Sequence, residues 1–118
     1  MDIFSSDQSS ADRQVALKRL GGDEKLLATL AGFYLEDAPP LMSQLIEAMQ
    51  SHELDIVARL AHNLKGLSAT FEAVSFVTLA DDVEKTARRK DEAQLLQKIQ
   101  ELDQEFGRLV LQLQRLTG

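Results

Sequence analysis

Residues 62–66 read "HNLKG", and three of the five bring together an imidazole, an ammonium and a glycine. On an α-helix, Lys65 at i+3 and Gly66 at i+4 both lie one turn from His62. Free imidazole titrates near pH 6.5, so at neutral pH a large share of it is an unprotonated nucleophile. Lys65 offers a cation to any anionic group seated beside the ring. Gly66 removes the side chain that would crowd that seat, although glycine inside a helix costs about 1 kcal/mol relative to alanine. Phosphoryl suits such a seat, because its transfer depends on positioning, charge stabilisation and an in-line approach that an exposed ring allows. The sequence has no phosphate-cradling glycine loop and no acidic cluster for Mg²⁺, so it could hold a phosphoryl group but not make one. Donor and metal must come from another participant.

Rival chemistries lack their parts. For metal binding, His62 has no second histidine or carboxylate at i+4, and Asp55 is two turns away. For hydrolysis, Ser68 is off the histidine's face. A lone histidine in a bundle is commonly a hydrogen-bonded residue without a task. The mid-helix glycine is what separates His62 from that case.

The element that carries these residues is the stretch "VARLAHNLKGLSATF" (57–71). With about 100° per residue and His62 at zero, Val57, Leu60, Leu64, Leu67 and Phe71 fall within about 40° of the opposite pole. Asp55, Ala58, Arg59, Lys65, Gly66 and Ala69 lie on the histidine side. The imidazole should therefore face solvent from a helix whose back is core, spanning about 53–71.

The surrounding chain reads as helix throughout, without the alternating pattern of a half-buried strand. Residues 1–9 are polar and read as a flexible tail, with the domain proper at 10–118. A short helix is predicted over 10–20, carrying Val15, Leu17 and Leu20 and ending at Gly21-Gly22. Asp23 should cap the next helix, which bears Leu26, Leu27, Leu30, Phe33 and Tyr34. Pro39-Pro40 predicts a kink or short break near 37–39, since proline lacks an N–H and clashes with the preceding turn. The helical pattern resumes through Leu41, Leu45, Ala48 and Met49, and "QSHE" (50–53) makes a turn. A helix over 74–89 presents Phe76, Leu79, Ala80, Val83 and Ala87. The last, capped by Asp91, runs over 91–116, where a coiled-coil strand is the alternative. Short connections make successive helices antiparallel neighbours. The expected fold is all-α: an antiparallel up-down four-helix bundle with an additional short N-terminal helix.

The net charge of −6 disfavours nucleic acid and anionic membrane surfaces as partners. "ARRK" (87–90) reads as a helix C-terminus answering its own dipole. Arg59 and Lys65 make a small positive spot on an otherwise acidic domain. There is no cysteine, hence no disulfide or thiolate chemistry, which fits a reducing cytoplasm. The first residues lack the pattern of a secretory signal, and no apolar run approaches the roughly 18 residues of a membrane span.

"AHNLKG" (61–66) resembles the His-x-Leu-Lys-Gly motif of the histidine-containing phosphotransfer (HPt) domain family, met here by His62, Leu64, Lys65 and Gly66. The similarity covers roughly 13–116, including "ALKRLGGDEKLL" and "FYLEDAPPLMSQL" before the motif. "FEAVSFVTLADDVEKTAR" and "EFGRLVLQL" carry it after the motif. The resemblance implies a cytoplasmic, monomeric carrier without kinase or ATPase activity, working in multistep two-component phosphorelays. Its partners would be response-regulator receiver domains and a hybrid sensor kinase; it would need no cofactor of its own, Mg²⁺ coming with the receiver. By the same analogy His62 accepts and donates phosphoryl, Lys65 assists electrostatically and Gly66 keeps room for the receiver. Glu84, bonding the imidazole N–H, and Arg88, contacting the phosphoryl group or partner, would border the site. Arg59 and Ala69, from the histidine side of the wheel, are further candidate binding residues. The family usually has glycine where Glu72 stands, before Ala73, so the turn there departs from the pattern. His52 matches nothing in the pattern and reads as surface. Two alternatives remain: a receiver-docking or helical interaction module without phosphotransfer, and a histidine-kinase dimerisation domain. Against the latter, Asn63 rather than an acidic residue follows His62, and no proline lies downstream.

Overall fold

Five helices, and no strand, make up residues 11–117, the part of the chain that the computed structural model describes. They are α1 (Arg13–Arg19), α2 (Glu24–Gln50), α3 (Leu54–Ala69), α4 (Val74–Arg88) and α5 (Glu92–Thr117). Helices α2 to α5 form the antiparallel bundle, each packed on its sequence neighbour, and α5 closes the ring against α2. Among the described residues no helix is long and apolar enough to cross a membrane. The expected tail, 1–9, lies outside the described residues.

The capping chemistry is where the sequence places it. Asp23 accepts from the Leu26 N–H at 2.9 Å, and Asp91 from the Gln94 N–H at 3.2 Å. Gly21 and Gly22 take φ of +69° and +81° and end α1. That helix is shorter than its predicted 10–20, and Val15 stands 42% exposed while Ala16 is buried.

The predicted break near 37–39 is absent: α2 runs through Pro39 and Pro40 without interruption. The two prolines forfeit the N–H bonds that would reach back to residues 35 and 36. Buried Tyr34 and Ala38 before them, and Met42 and Leu45 after them, hold both halves of α2 on one core.

Phe76, Leu45, Leu64, Leu95, Leu102, Leu109 and Leu113 are fully buried, each contributing on the order of 1.5–3 kcal/mol. In α3, however, the buried set is Leu54, Val57, Ala58, Leu60, Ala61, Leu64 and Ser68. Leu67, predicted to be core, is 38% exposed, and Ala58, predicted to face solvent, is 1% exposed. The core-facing arc of α3 is thus rotated by roughly 60° towards α4 relative to the leucine stripe. Ala58 and Ala61 on this arc let α4 approach closely, and the most extensive helix–helix contact among the described residues is α3 on α4. Ser68 is satisfied by the buried Tyr34 hydroxyl at 2.7 Å, and Tyr34 meets Phe71 edge-on at 5.5 Å. Burial pushes the Tyr34 phenol above its ordinary pKa, outweighing the opposing effect of the Ser68 bond.

Three tight turns join the bundle helices, and each contains a non-glycine residue at positive φ: His52 at 58°, Glu72 at 51° and Lys90 at 59°. Glu72 therefore adopts the left-handed conformation in which glycine would be easiest, at a cost of about 1 kcal/mol. Its carboxylate is ion-paired with Arg19 next to α1 and α2's junction. The departure from the family pattern leaves the turn in place. His52 is exposed as expected, and its Nδ1 lies 2.6 Å from Glu92 Oε1 across two of these turns.

Candidate functional site

His62 sits near the middle of α3, on the arc that neither neighbour covers, and its side chain is 61% exposed. Its Nδ1 lies 3.2 Å from Oε1 of Glu84, a residue of α4 whose side chain is only 11% exposed. An ionised carboxylate can only accept, so Nδ1 carries the proton and donates it. The second ring nitrogen, Nε2, is then the one with the lone pair.

Glu84 is the hub. The same Oε1 accepts from Lys65 Nζ at 3.0 Å, and Oε2 accepts from Arg88 Nη2 at 2.9 Å and Nε at 3.3 Å. Lys65 Nζ also donates to Asp81 Oδ1 at 3.0 Å, while Lys85 pairs with Asp81 Oδ2 at 2.8 Å. Lys85, Asp81, Lys65, Glu84 and Arg88 thus form one chain of alternating charge, with His62 hanging from its centre. Burial alone would push the Glu84 carboxyl up; hydrogen bonds from Lys65, Arg88 and His62 outweigh it and hold the carboxyl at about 2, below its ordinary 4.5. Lys65 is raised by its hydrogen bonds, first to Glu84 and then to Asp81. Asp81 is lowered by Lys85 and then by Lys65.

The opposite flank is bare. Leu41 of α2 and His62, Asn63, Gly66 and Leu67 of α3 line a shallow concavity. Leu67 is shared with a second hollow, bordered by Leu30, Phe33 and Asp37 of α2. A Cβ built on Gly66 would meet nothing within 4 Å, so nothing among the described residues requires glycine there.

Of the residues singled out in the sequence, His62, Lys65, Glu84 and Arg88 are brought into one bonded group. Gly66 adjoins the ring on its other side. The sequence reading put Lys65 and Gly66 on a single recess; they stand on opposite flanks, because Lys65 is drawn to the α4 carboxylates. Arg59 is exposed one turn before His62 and makes no ion pair with a described residue. Ala69 is exposed two turns after it, bordering a small hollow with Glu72 and Val77. Asp81 and Lys85 were missed, although D-x-x-E-K-x-x-R (81–88) is a charged stripe at helical spacing. Phe33 of α2 is 57% exposed beside the second hollow.

The arrangement supplies an exposed, tautomer-fixed imidazole with cations close by and one open approach. The family model for the Hpt domain matches residues 29–116, which spans the site and most of the bundle. The chain belongs to the Hpt domain family. Hpt domains are phosphocarriers rather than enzymes in general, and the family's role is histidine phosphotransfer in two-component signalling, in contact with receiver domains and kinases. The fold of this Hpt domain is similar to the crystal structure of histidine-containing phosphotransfer protein B (HptB) from Pseudomonas aeruginosa PAO1. The TM-score is 0.83 at 20% identity, covering 92% of this chain and 95% of that one. No curated protein matches the sequence.

Proposed function

We propose that His62 is the phosphoryl acceptor and donor of this Hpt domain, and that it shuttles the group between receiver aspartates in a multistep phosphorelay. One observation carries the reading: Nδ1 is committed to Glu84 while the ring stays 61% exposed, so Nε2 is the free nucleophile. Attack by Nε2 on an aspartyl phosphate breaks the P–O bond to the carboxylate and forms the P–N bond. The positive charge that develops on the ring is shared through Nδ1–H with Glu84. In the return step the next receiver's carboxylate attacks phosphorus and the imidazole leaves with its electron pair. Lys65 and Arg88, both bonded to Glu84, are the cations beside the ring that turn to the phosphoryl oxygens once it is phosphorylated.

Gly66 and the apolar hollows along α2 and α3 form the face on which the receiver docks. A bulky residue at 66 would hold the two proteins apart. The receiver supplies Mg²⁺, and the domain works as a cytoplasmic monomer without kinase activity of its own.

The test charges a panel of receivers with labelled acetyl phosphate and adds this domain. Wild-type protein should acquire acid-labile, base-stable phosphate, and His62→Gln should acquire none. Receiver binding without label would instead leave a docking module, and label on His62→Gln would remove His62 from the mechanism.

A further inference from the structure

Lys65 is doubly anchored away from the open side of His62. Its Nζ is 3.0 Å from Asp81 Oδ1 and 3.0 Å from Glu84 Oε1, and Glu84 Oε1 is the atom that holds His62 Nδ1. The ammonium is thus stationed on the Nδ1 flank of the ring, whereas a phosphoryl group on Nε2 would lie beyond the ring's other side. Glu84 already serves three donors, whereas Asp81 serves two, Lys65 through Oδ1 and Lys85 through Oδ2. Lys65 is half-buried against α4, its side chain 25% exposed, and Asp81 is 35% exposed.

From this geometry we infer that Asp81 is a positioning residue for phosphotransfer: it competes with the phosphoryl group for Lys65 and so limits how readily His62 becomes phosphorylated. The inference rests on His62 being the acceptor. In the resting site Lys65, Lys85 and Arg88 oppose Asp81 and Glu84, an excess of one positive charge. When a phosphoryl dianion arrives on Nε2, Lys65 must give up Asp81 to reach it. Removing the Asp81 charge lowers that cost and leaves one more uncompensated cation beside the dianion. Phosphorylation should become easier, an outcome opposite to that of an ordinary damaged site. Asp82 is the internal control, since it pairs with Lys98 of α5 at 2.9 Å and has no bond to the site.

The experiment uses phosphoramidate as sole donor, which needs no receiver and isolates the chemistry of His62. Nε2 attacks phosphorus, the P–N bond of the reagent breaks, and its already protonated nitrogen leaves as ammonia. Phosphohistidine is followed by ³¹P NMR in wild type, Asp81→Asn, Asp81→Glu and Asp82→Asn, and in each Asp81 background again with Lys65→Met. Asp81→Asn should be labelled about threefold to fivefold faster, the factor that one partly exposed ion pair is worth. Asp81→Glu should restore the wild-type rate, Asp82→Asn should match wild type, and Lys65→Met should erase the Asp81→Asn gain. An unchanged or slower Asp81→Asn, a gain that persists with Lys65→Met, or an equal gain in Asp82→Asn would overturn the inference. Urea melts of each variant identify any loss that comes from unfolding. Failure of wild type to label at His62 would instead overturn the acceptor assignment itself.

Discussion

The α4 side of His62 and its α2 side differ in almost every physical respect. Towards α4, five polar side chains are linked by hydrogen bonds of 2.8–3.3 Å to one another and to the Glu84 carboxylate, which is only 11% exposed. Towards α2, Gly66, Leu67 and Leu41 border an open hollow, and no described residue lies within 4 Å of a Cβ at 66. On the function proposed above, the first side fixes which ring nitrogen reacts, and the second is the side that the receiver covers.

Gly66→Gln should break this division most visibly. Receiver-to-His62 transfer should fall by about a hundredfold, the scale of a misplacement of about 1 Å in an aligned reaction. The melt should rise slightly, by about 0.5–1 kcal/mol, as helix propensity improves. Because the block is steric and on the partner's side, labelling by phosphoramidate should hardly change. Equal loss with both donors would mean that Gly66 serves the ring rather than the receiver.

Glu84→Ala attacks the other side. It removes the Nδ1 acceptor and the shared anchor of Lys65 and Arg88, and should cost about 1–3 kcal/mol in urea denaturation. Phosphoramidate labelling should slow together with receiver-dependent transfer, because both use the same nucleophile. Phe33→Ala, in contrast, should weaken receiver affinity by about tenfold while shifting stability by less than about 0.5 kcal/mol. Stability equally damaged by Phe33→Ala would place that ring in the core after all.

The smallest expected effect is on the acid limb of stability. The Glu84 carboxyl is held at about 2 in the folded protein against an ordinary 4.5. A depressed carboxyl stabilises the fold above its unfolded pKa, and that contribution is lost as pH falls from about 4.5 towards 2. Asp81, also lowered, acts in the same sense. Glu84→Gln should flatten the decline in melting temperature over that window and leave the neutral-to-acid trend above it unchanged. An identical decline in the variant would detach Glu84 from the pH response.

The two sides were also unequally legible in the sequence. The bundle, the caps at Asp23 and Asp91 and the exposure of His62 follow from periodicity and local chemistry, which act within a few residues. The approach of α4 did not, because it depends on Ala58 and Ala61. On a hydropathy wheel these weigh less than Leu67, yet they are small enough to admit a neighbouring helix. That rotation of the buried arc is what carried Lys65 to Asp81 and left Leu67 facing outward. Glu84 and Arg88 could be anticipated only through the family resemblance. Asp81, with no such guide, needed the partner helix in place. Pro39 and Pro40 show the converse: a strong local signal for a break was overridden by the packing of Ala38, Met42 and Leu45.

If Glu84 holds Nδ1–H, His62 reacts through Nε2. Long-range ¹H–¹⁵N correlation of the His62 ring, before and after phosphorylation by a receiver charged with acetyl phosphate, should then show a neutral ring protonated at Nδ1 beforehand and a phosphoryl group on Nε2 afterwards. A phosphoryl group on Nδ1, or an unmodified His62 ring in protein that carries the label, would contradict it.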